Sequence, residues 1–185
     1  KFKSYNLIIL YQLPAKGKRG SSLVKAVISS GTPILFVLGN QSDITGFNSI
    51  KAGLTIQVVG GMTNEAQPLV NDKFSLFSID EDAAKMIEGL PPLIVPFGTY
   101  LTSKSADVLL KQKIGMVKPE QAMIQFYMFN EVKLGVIAGE GIWRWRLSSY
   151  GRYGTHDLFD NLLSKTVQYL AIKSDKSQFR VFSKN

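Results

Sequence analysis

Tyr5-Asn6-Leu7-Ile8-Ile9-Leu10, then Pro33-Ile34-Leu35-Phe36-Val37-Leu38 running into Gly39-Asn40-Gln41-Ser42-Asp43, is the stretch that decides the fold. Both apolar runs are continuous rather than alternating, the pattern of strands covered on two faces in a parallel sheet. Between them lie a polar, basic loop over 14–20 and a segment in which Leu23, Val24, Val27 and Ile28 recur at helical spacing. Ser21 or Ser22 is the candidate cap of that helix and Gly31 its stop. Strand, helix and strand in succession make a right-handed βαβ unit, which requires a parallel sheet with helices on its faces. The expected class is therefore α/β, flavodoxin-like, with a mainly parallel sheet and helices on both faces.

Outward from that unit the pattern loosens. A short helix or loop from Phe47 leads into a strand over 54–59, which Gly60 and Gly61 are expected to end. Asp80, Glu81 and Asp82 open a helix running to Glu88, their charges opposing the positive end of its dipole. Strands are expected over 94–101, 108–114, 123–129 and 132–138, and the last two are joined by Asn130 and Glu131, as a two-residue hairpin requires. This half adds antiparallel strands to the sheet. Residues 140–150 and 155–170 read as helices. In the second, Thr155 is the candidate cap, and Leu158, Phe159, Leu162, Leu163, Val167 and Leu170 form an apolar stripe. Residues 1–173 read as one domain and 174–185, with a brief strand signal at 179–182, as a tail or linker.

At 185 residues, 45% of them apolar, the chain is long enough to bury a core and shows no repeat. It has no cysteine, which excludes a thiolate nucleophile, a disulfide framework and a thiolate metal site. His156 is the only histidine, so a zinc site would need carboxylates for its other ligands and a Ser-His-Asp triad would rest on that one imidazole; no metal site is expected, and no cofactor is expected either. The net charge of +8 is grouped only in part: Lys16, Lys18 and Arg19; Arg144, Arg146 and Arg152; and Lys173, Lys176, Arg180 and Lys184. Solvated loops and a soluble tail account for that pattern better than a polyanion site does, so nucleic acid is not the expected partner. No run of 18 apolar residues is present, so no membrane span is expected within the segment. Lys1 stands directly before a strand-like run without a leading methionine, which reads as a segment of a longer protein.

The order of strand, basic loop, helix, Gly31-Thr32-Pro33, strand and Gly39-Asn40-Gln41 resembles the nucleophile region of class I glutamine amidotransferases, where a strand leads into Cys-Leu-Gly-His-Gln. Here the matching run is Val37-Leu38-Gly39-Asn40-Gln41. The resemblance places Val37, or Leu38 with the gap one residue later, at the nucleophile's position, and neither side chain attacks a carbonyl. The family's second signature, a Gly-Val followed two residues later by His-Pro-Glu, is similar to Gly135-Val136-Ile137-Ala138-Gly139-Glu140-Gly141, where only Glu140 survives. Without the family's cysteine and histidine at these positions there is no attacking group and no general base, so the resemblance implies a pseudoenzyme.

A second resemblance covers nearly the whole chain. Tyr5 to Pro14, Lys73-Phe74-Ser75-Leu76-Phe77, Pro91-Pro92-Leu93 with Pro96-Phe97-Gly98, Gly139-Glu140-Gly141-Ile142-Trp143-Arg144-Trp145-Arg146-Leu147 and Val167-Gln168-Tyr169-Leu170 carry it. They look like the amidotransferase-like domain inside large membrane-anchored proteins of Bacteroidetes-type bacteria, which also carry an aerotolerance-type membrane segment and sometimes a von Willebrand factor A-like domain. That family implies an envelope location, with this segment on the periplasmic side, and partners among other domains of the same chain or other envelope proteins. In it, a further β-α unit usually precedes the Tyr5 strand.

Two places hold candidate binding residues. Gly39, Asn40, Gln41 and Ser42 come directly after a parallel strand, where open α/β sheets bind ligands. The plain-turn alternative has Asn40 left-handed and Asp43 capping the next segment. Glu140, Trp143, Arg144 and Arg146, with Trp145, Arg152 and His156 nearby, would make a pocket for a small anionic ligand, arginines holding the anion beside a tryptophan platform. The structural alternative pairs Glu140 with an arginine and packs the tryptophans between helix and sheet. The expectation is a non-catalytic binding or assembly module whose pocket is lined by both segments. A hydrolase using Glu140 and His156, and a basic module for anions or nucleic acid, are the alternatives.

Overall fold

The computed structural model describes residues 1–115 and 120–172. The tail over 174–185, its basic residues and its strand signal lie outside them. Within the described residues seven strands form one sheet: β1 (Ile8–Tyr11), β2 (Ile34–Val37), β3 (Leu54–Val70), β4 (Leu93–Thr102), β5 (Asp107–Lys113), β6 (Ala122–Phe129) and β7 (Val132–Ile137), in the order β1-β2-β7-β6-β5-β3-β4. The helices are α1 (Ser21–Ser29), α2 (Ile44–Asn48), α3 (Glu81–Glu88), α4 (Trp143–Tyr153) and α5 (Asp157–Ala171). The α/β class is as expected, but the balance within the sheet differs: β1, β2 and β7 are parallel, and the other four pairings are antiparallel.

β2 is buried at every position and separates two cores. Leu35 and Val37 face Ile87, Trp145, Phe159, Leu162 and Leu170, so α3, α4 and α5 cover one face. Ile34, Phe36 and Leu38 face Val24, Val27 and Phe47 from α1 and α2 on the other. Each such side chain, once buried, contributes about 1.5–3 kcal/mol relative to exposure. The continuous apolar run of β2 is thus explained by its place near the middle of the parallel strands. β1 is different. It is an edge strand, and Ile9 and Tyr11 stay more than half exposed, so the expectation that both its faces are covered fails there.

Three boundaries also shift for local reasons. β3 does not end at Gly60 and Gly61 but runs through them to Val70, the two glycines taking φ of +58° and +67° at an irregularity between Val58 and Thr63. The glycines turn the strand without breaking it, a bulge rather than a stop. α4 begins at Trp143 instead of Glu140, because the Glu140 backbone is already spent: its N–H and C=O both bond Ile94, at 2.9 and 3.0 Å. α1 starts after Gly20 in a left-handed conformation, without a serine cap. The hairpin between β6 and β7 does turn on Asn130 and Glu131, both at positive φ as a two-residue turn of the primed kind demands.

Candidate functional site

The carboxyl ends of β1, β2 and β7 lie side by side, and each delivers one element of a polar network. β7 runs through Ala138 and Gly139 to Glu140, held against the start of β4 by the paired bonds to Ile94. β2 runs into the Gly39–Ser42 turn, closed by the Ser42 N–H on the Gly39 carbonyl at 3.0 Å and by the Gly39 N–H on Ser42 Oγ at 3.1 Å. β1 delivers Gln12. Its φ of +53° lifts the side chain out of the strand direction and over the neighbouring strand ends.

Glu140 Oε2 accepts from Gln12 Nε2 at 2.8 Å and from the Asn40 N–H at 3.0 Å, and Gln12 Oε1 in turn accepts from the Gln41 N–H at 2.7 Å. The carboxylate and the amide therefore bind each other and the same turn. Sequence reasoning brings Gly39–Ser42 and Glu140 to one place, and the structure does so too, but sequence reasoning misses Gln12. The signal available is a polar residue at the end of the first parallel strand, where ligand-side residues of open sheets cluster. Asn40 is not the left-handed residue of this corner; Gln12 is. Asp43 does cap α2, its Oδ1 accepting from the Gly46 N–H at 3.0 Å.

The other candidate residues diverge from this corner. Arg144 folds back over Gly141, and its Nη2 donates to the Pro92 carbonyl at 2.6 Å. Trp145 is fully buried with its indole N–H on the Pro91 carbonyl at 2.7 Å, in keeping with the structural alternative. Arg146 pairs with Asp160 at 3.2 Å rather than with Glu140. Arg152 bonds the Gly89 carbonyl. Trp143 projects outward, 61% exposed. His156 stacks on Tyr150 with ring centroids 5.0 Å apart and shares a bond with the Arg146 carbonyl, while Glu140 bonds Gln12 and Asn40, so each is engaged away from the other. The expected arginine pocket is not assembled, because each guanidinium among these three is engaged with a carbonyl or an aspartate next to its own helix.

At the nucleophile position Val37 is 5% exposed and Leu38 fully buried, each in a core. Beside the turn lies a cleft of about 200 Å³ bounded by Lys16, Asn40, Ser42 and Asp43 on one side and by the bend of β3 at Val58, Gly61 and Met62 on the other. Among the described residues one cation, Lys16, and one carboxylate, Asp43, line it, so these residues give it no net preference for an anion. Among the described residues no three His, Asp or Glu side chains are grouped as metal ligands, and no helix is long and apolar enough to cross a membrane.

No protein-family model matches the chain, and no curated protein matches its sequence. Solved structures are similar in fold. A cytoplasmic protein of Salmonella typhimurium is 12% identical with a TM-score of 0.54, over 91% of this chain and 73% of that one. A second cytoplasmic protein, from Salmonella typhimurium LT2, is 8% identical with a TM-score of 0.52, over 88% and 72%. Isoenzyme 2 of the alpha-L-fucosidase from Paenibacillus thiaminolyticus is 10% identical with a TM-score of 0.51, over 92% of this chain but 26% of that one. At these identities the likeness extends to the fold alone.

Proposed function

We propose that this domain is a non-catalytic, amidotransferase-like module that binds or assembles partners within a larger membrane-anchored envelope protein. The observation that supports the loss of catalysis is the state of the strand-end corner. Where the resembled enzymes place an attacking side chain, Val37 and Leu38 are aliphatic and buried. The one surviving signature residue, Glu140, has its Oε2 engaged by Gln12 and the Asn40 N–H. A general base must reach the proton it removes, and a carboxylate engaged in this way works instead as a clamp between three strand ends. The envelope setting and the amidotransferase relationship rest on the sequence resemblance.

The test is an assay panel of esters, amides and phosphoesters run on the wild-type chain and on Glu140→Gln. The expected outcome is no turnover that distinguishes the two. Turnover present in the wild type and lost in Glu140→Gln would overturn the reading in favour of a hydrolase. The same variant is expected to remain folded with stability lowered by about 1 kcal/mol, the order of a charge-assisted hydrogen bond weakened to a neutral one.

A further inference from the structure

Six of the chain's 14 carboxylates line two adjoining clefts that together form a groove astride α3, although the chain as a whole carries a charge of +8. Two clefts, of about 310 and 390 Å³, flank α3 and meet at Ile79. Asp80, Asp82 and Asp157 rim the first; Asp72, Glu81 and Glu88 rim the second. The floors are apolar and half-buried, with Met86 and Leu158 on one flank and Phe74 and Phe77 on the other. The one cation among the described residues of the lining, Lys165, donates its Nζ to the Ser78 carbonyl at 2.8 Å.

Helix chemistry explains part of the acidity. Asp80 caps α3 through the Ala83 N–H, and Glu81, Asp82 and Asp157 sit in first turns, where the dipole favours them. It does not explain Asp72, which lies in a loop; Glu88, in the last turn of α3 where the dipole opposes a carboxylate, is held there by its Oε1 accepting from the Val70 N–H at 3.3 Å. An apolar floor under a mainly acidic rim, in which Lys85 approaches Asp82 at 4.0 Å and Lys165 is held by Ser78, is the form of a surface that seats alternating side chains and orients them electrostatically. In an extended segment, side chains four residues apart are separated by about 13 Å, enough to straddle a helix roughly 10 Å across and enter both clefts.

We propose that this groove docks an extended basic segment of a partner protein, its apolar side chains seated on either flank of α3 and its Lys or Arg side chains against the carboxylate rim. The proposal deepens the assembly reading and rests on it for the idea of a partner, yet it shares no residue with the Gln12–Glu140 corner. The probe is a fluorescent peptide of alternating arginine and leucine, with glutamate replacing arginine in its control, titrated into the full chain at low and at physiological ionic strength.

Saturable binding of the arginine peptide alone is expected, weakening as salt screens the rim. Glu81→Lys and Asp82→Lys, at exposed positions, are each expected to weaken it about threefold, and Glu88→Gln with Asp157→Asn, which add no positive charge, about twofold. Glu65→Lys changes the net charge as Asp82→Lys does but stands on β3 outside the groove, and it is expected to leave affinity unchanged. Equal weakening by Glu65→Lys, or no saturable binding, would overturn the proposal. So would binding that appears only after residues 173–185 are removed, since the occupant would then be the chain's own tail. Failure here, with Glu140→Gln still catalytically silent, leaves the non-catalytic reading in place and removes only the partner.

Discussion

The Glu140 corner and the β3–β4 ribbon are both places where the chain departs from a simple βα pattern, yet they are held by different groups. At the corner, Gln12, Asn40, Gln41 and Glu140, far apart in sequence, close three strand ends through side-chain hydrogen bonds. In the ribbon, β3 and β4 pair backbone to backbone on both sides of the bend at Gly60 and Gly61, and side chains such as Asn48 on Ile56 and Tyr100 on Pro96 add to that pairing without making it. Side-chain closure can give by a rotamer; backbone closure cannot. The first region should therefore lose stability in small steps and the second abruptly.

Gly98 offers the sharpest way to break that contrast. Opposite Val58 in the ribbon, a Cβ at Gly98 would fall on the Gln57 carbonyl, with the Gln57 carbonyl carbon at 2.8 Å and Val58 Cα at 2.9 Å. All of these are backbone atoms with no rotamer to change. Gly98→Ala is expected to cost about 3 kcal/mol, the upper part of the range for overpacking, measured as a shift in the denaturant midpoint. Gly39→Ala tests the other region. There the added Cβ meets Glu140 Oε2 and the Gln12 side chain, its Cδ at 2.8 Å, both ends of flexible groups. About 2 kcal/mol is expected, with the loss coming from the displaced hydrogen bonds. If Gly39→Ala proves the more damaging, the corner is the stiffer of the two and the comparison is reversed.

The same difference separates what is legible in the sequence from what is not. The βαβ unit, the two-residue hairpin and the α5 stripe arise from periodicity and turn chemistry, which are local, and they stand as expected. The course of β3 through Gly60 and Gly61 is not legible, because a glycine pair that bends a paired strand and one that ends it have the same local signature. The site is legible by half. Strand-end position singles out Gly39–Ser42 and Glu140, whereas Gln12 joins them only through tertiary contact, and nothing in its spacing to Glu140 announces the bond. Arg144 and Arg146 mislead for the complementary reason. Their residue types suit an anion, but the Pro92 carbonyl and Asp160 claim them first, and those neighbours are visible only once α4 is placed.

Tyr100 provides the finest test, because it lies in the ribbon yet acts through a side chain. It is 7% exposed, and its hydroxyl donates to the Pro96 carbonyl at 2.7 Å within the same strand. Burial pushes the phenol's pKa up, since the phenolate would be stripped of water. The folded chain thus keeps the proton where the unfolded chain, with a pKa of about 10, gives it up. Stability from this group is complete below pH 10 and falls as pH climbs from there toward the folded value. One pH unit above 10 corresponds to about 1.4 kcal/mol lost. Tyr169 is also raised by burial and Lys133 lowered by it, so the whole chain's alkaline profile mixes several groups. The comparison that isolates Tyr100 is the slope of stability against pH in wild type and Tyr100→Phe. The variant starts lower, having left the Pro96 carbonyl without its donor, and is expected to lose less between pH 10 and 11. Parallel slopes would mean that the ribbon opens enough to hydrate the phenolate, and that its backbone closure is looser than its register implies.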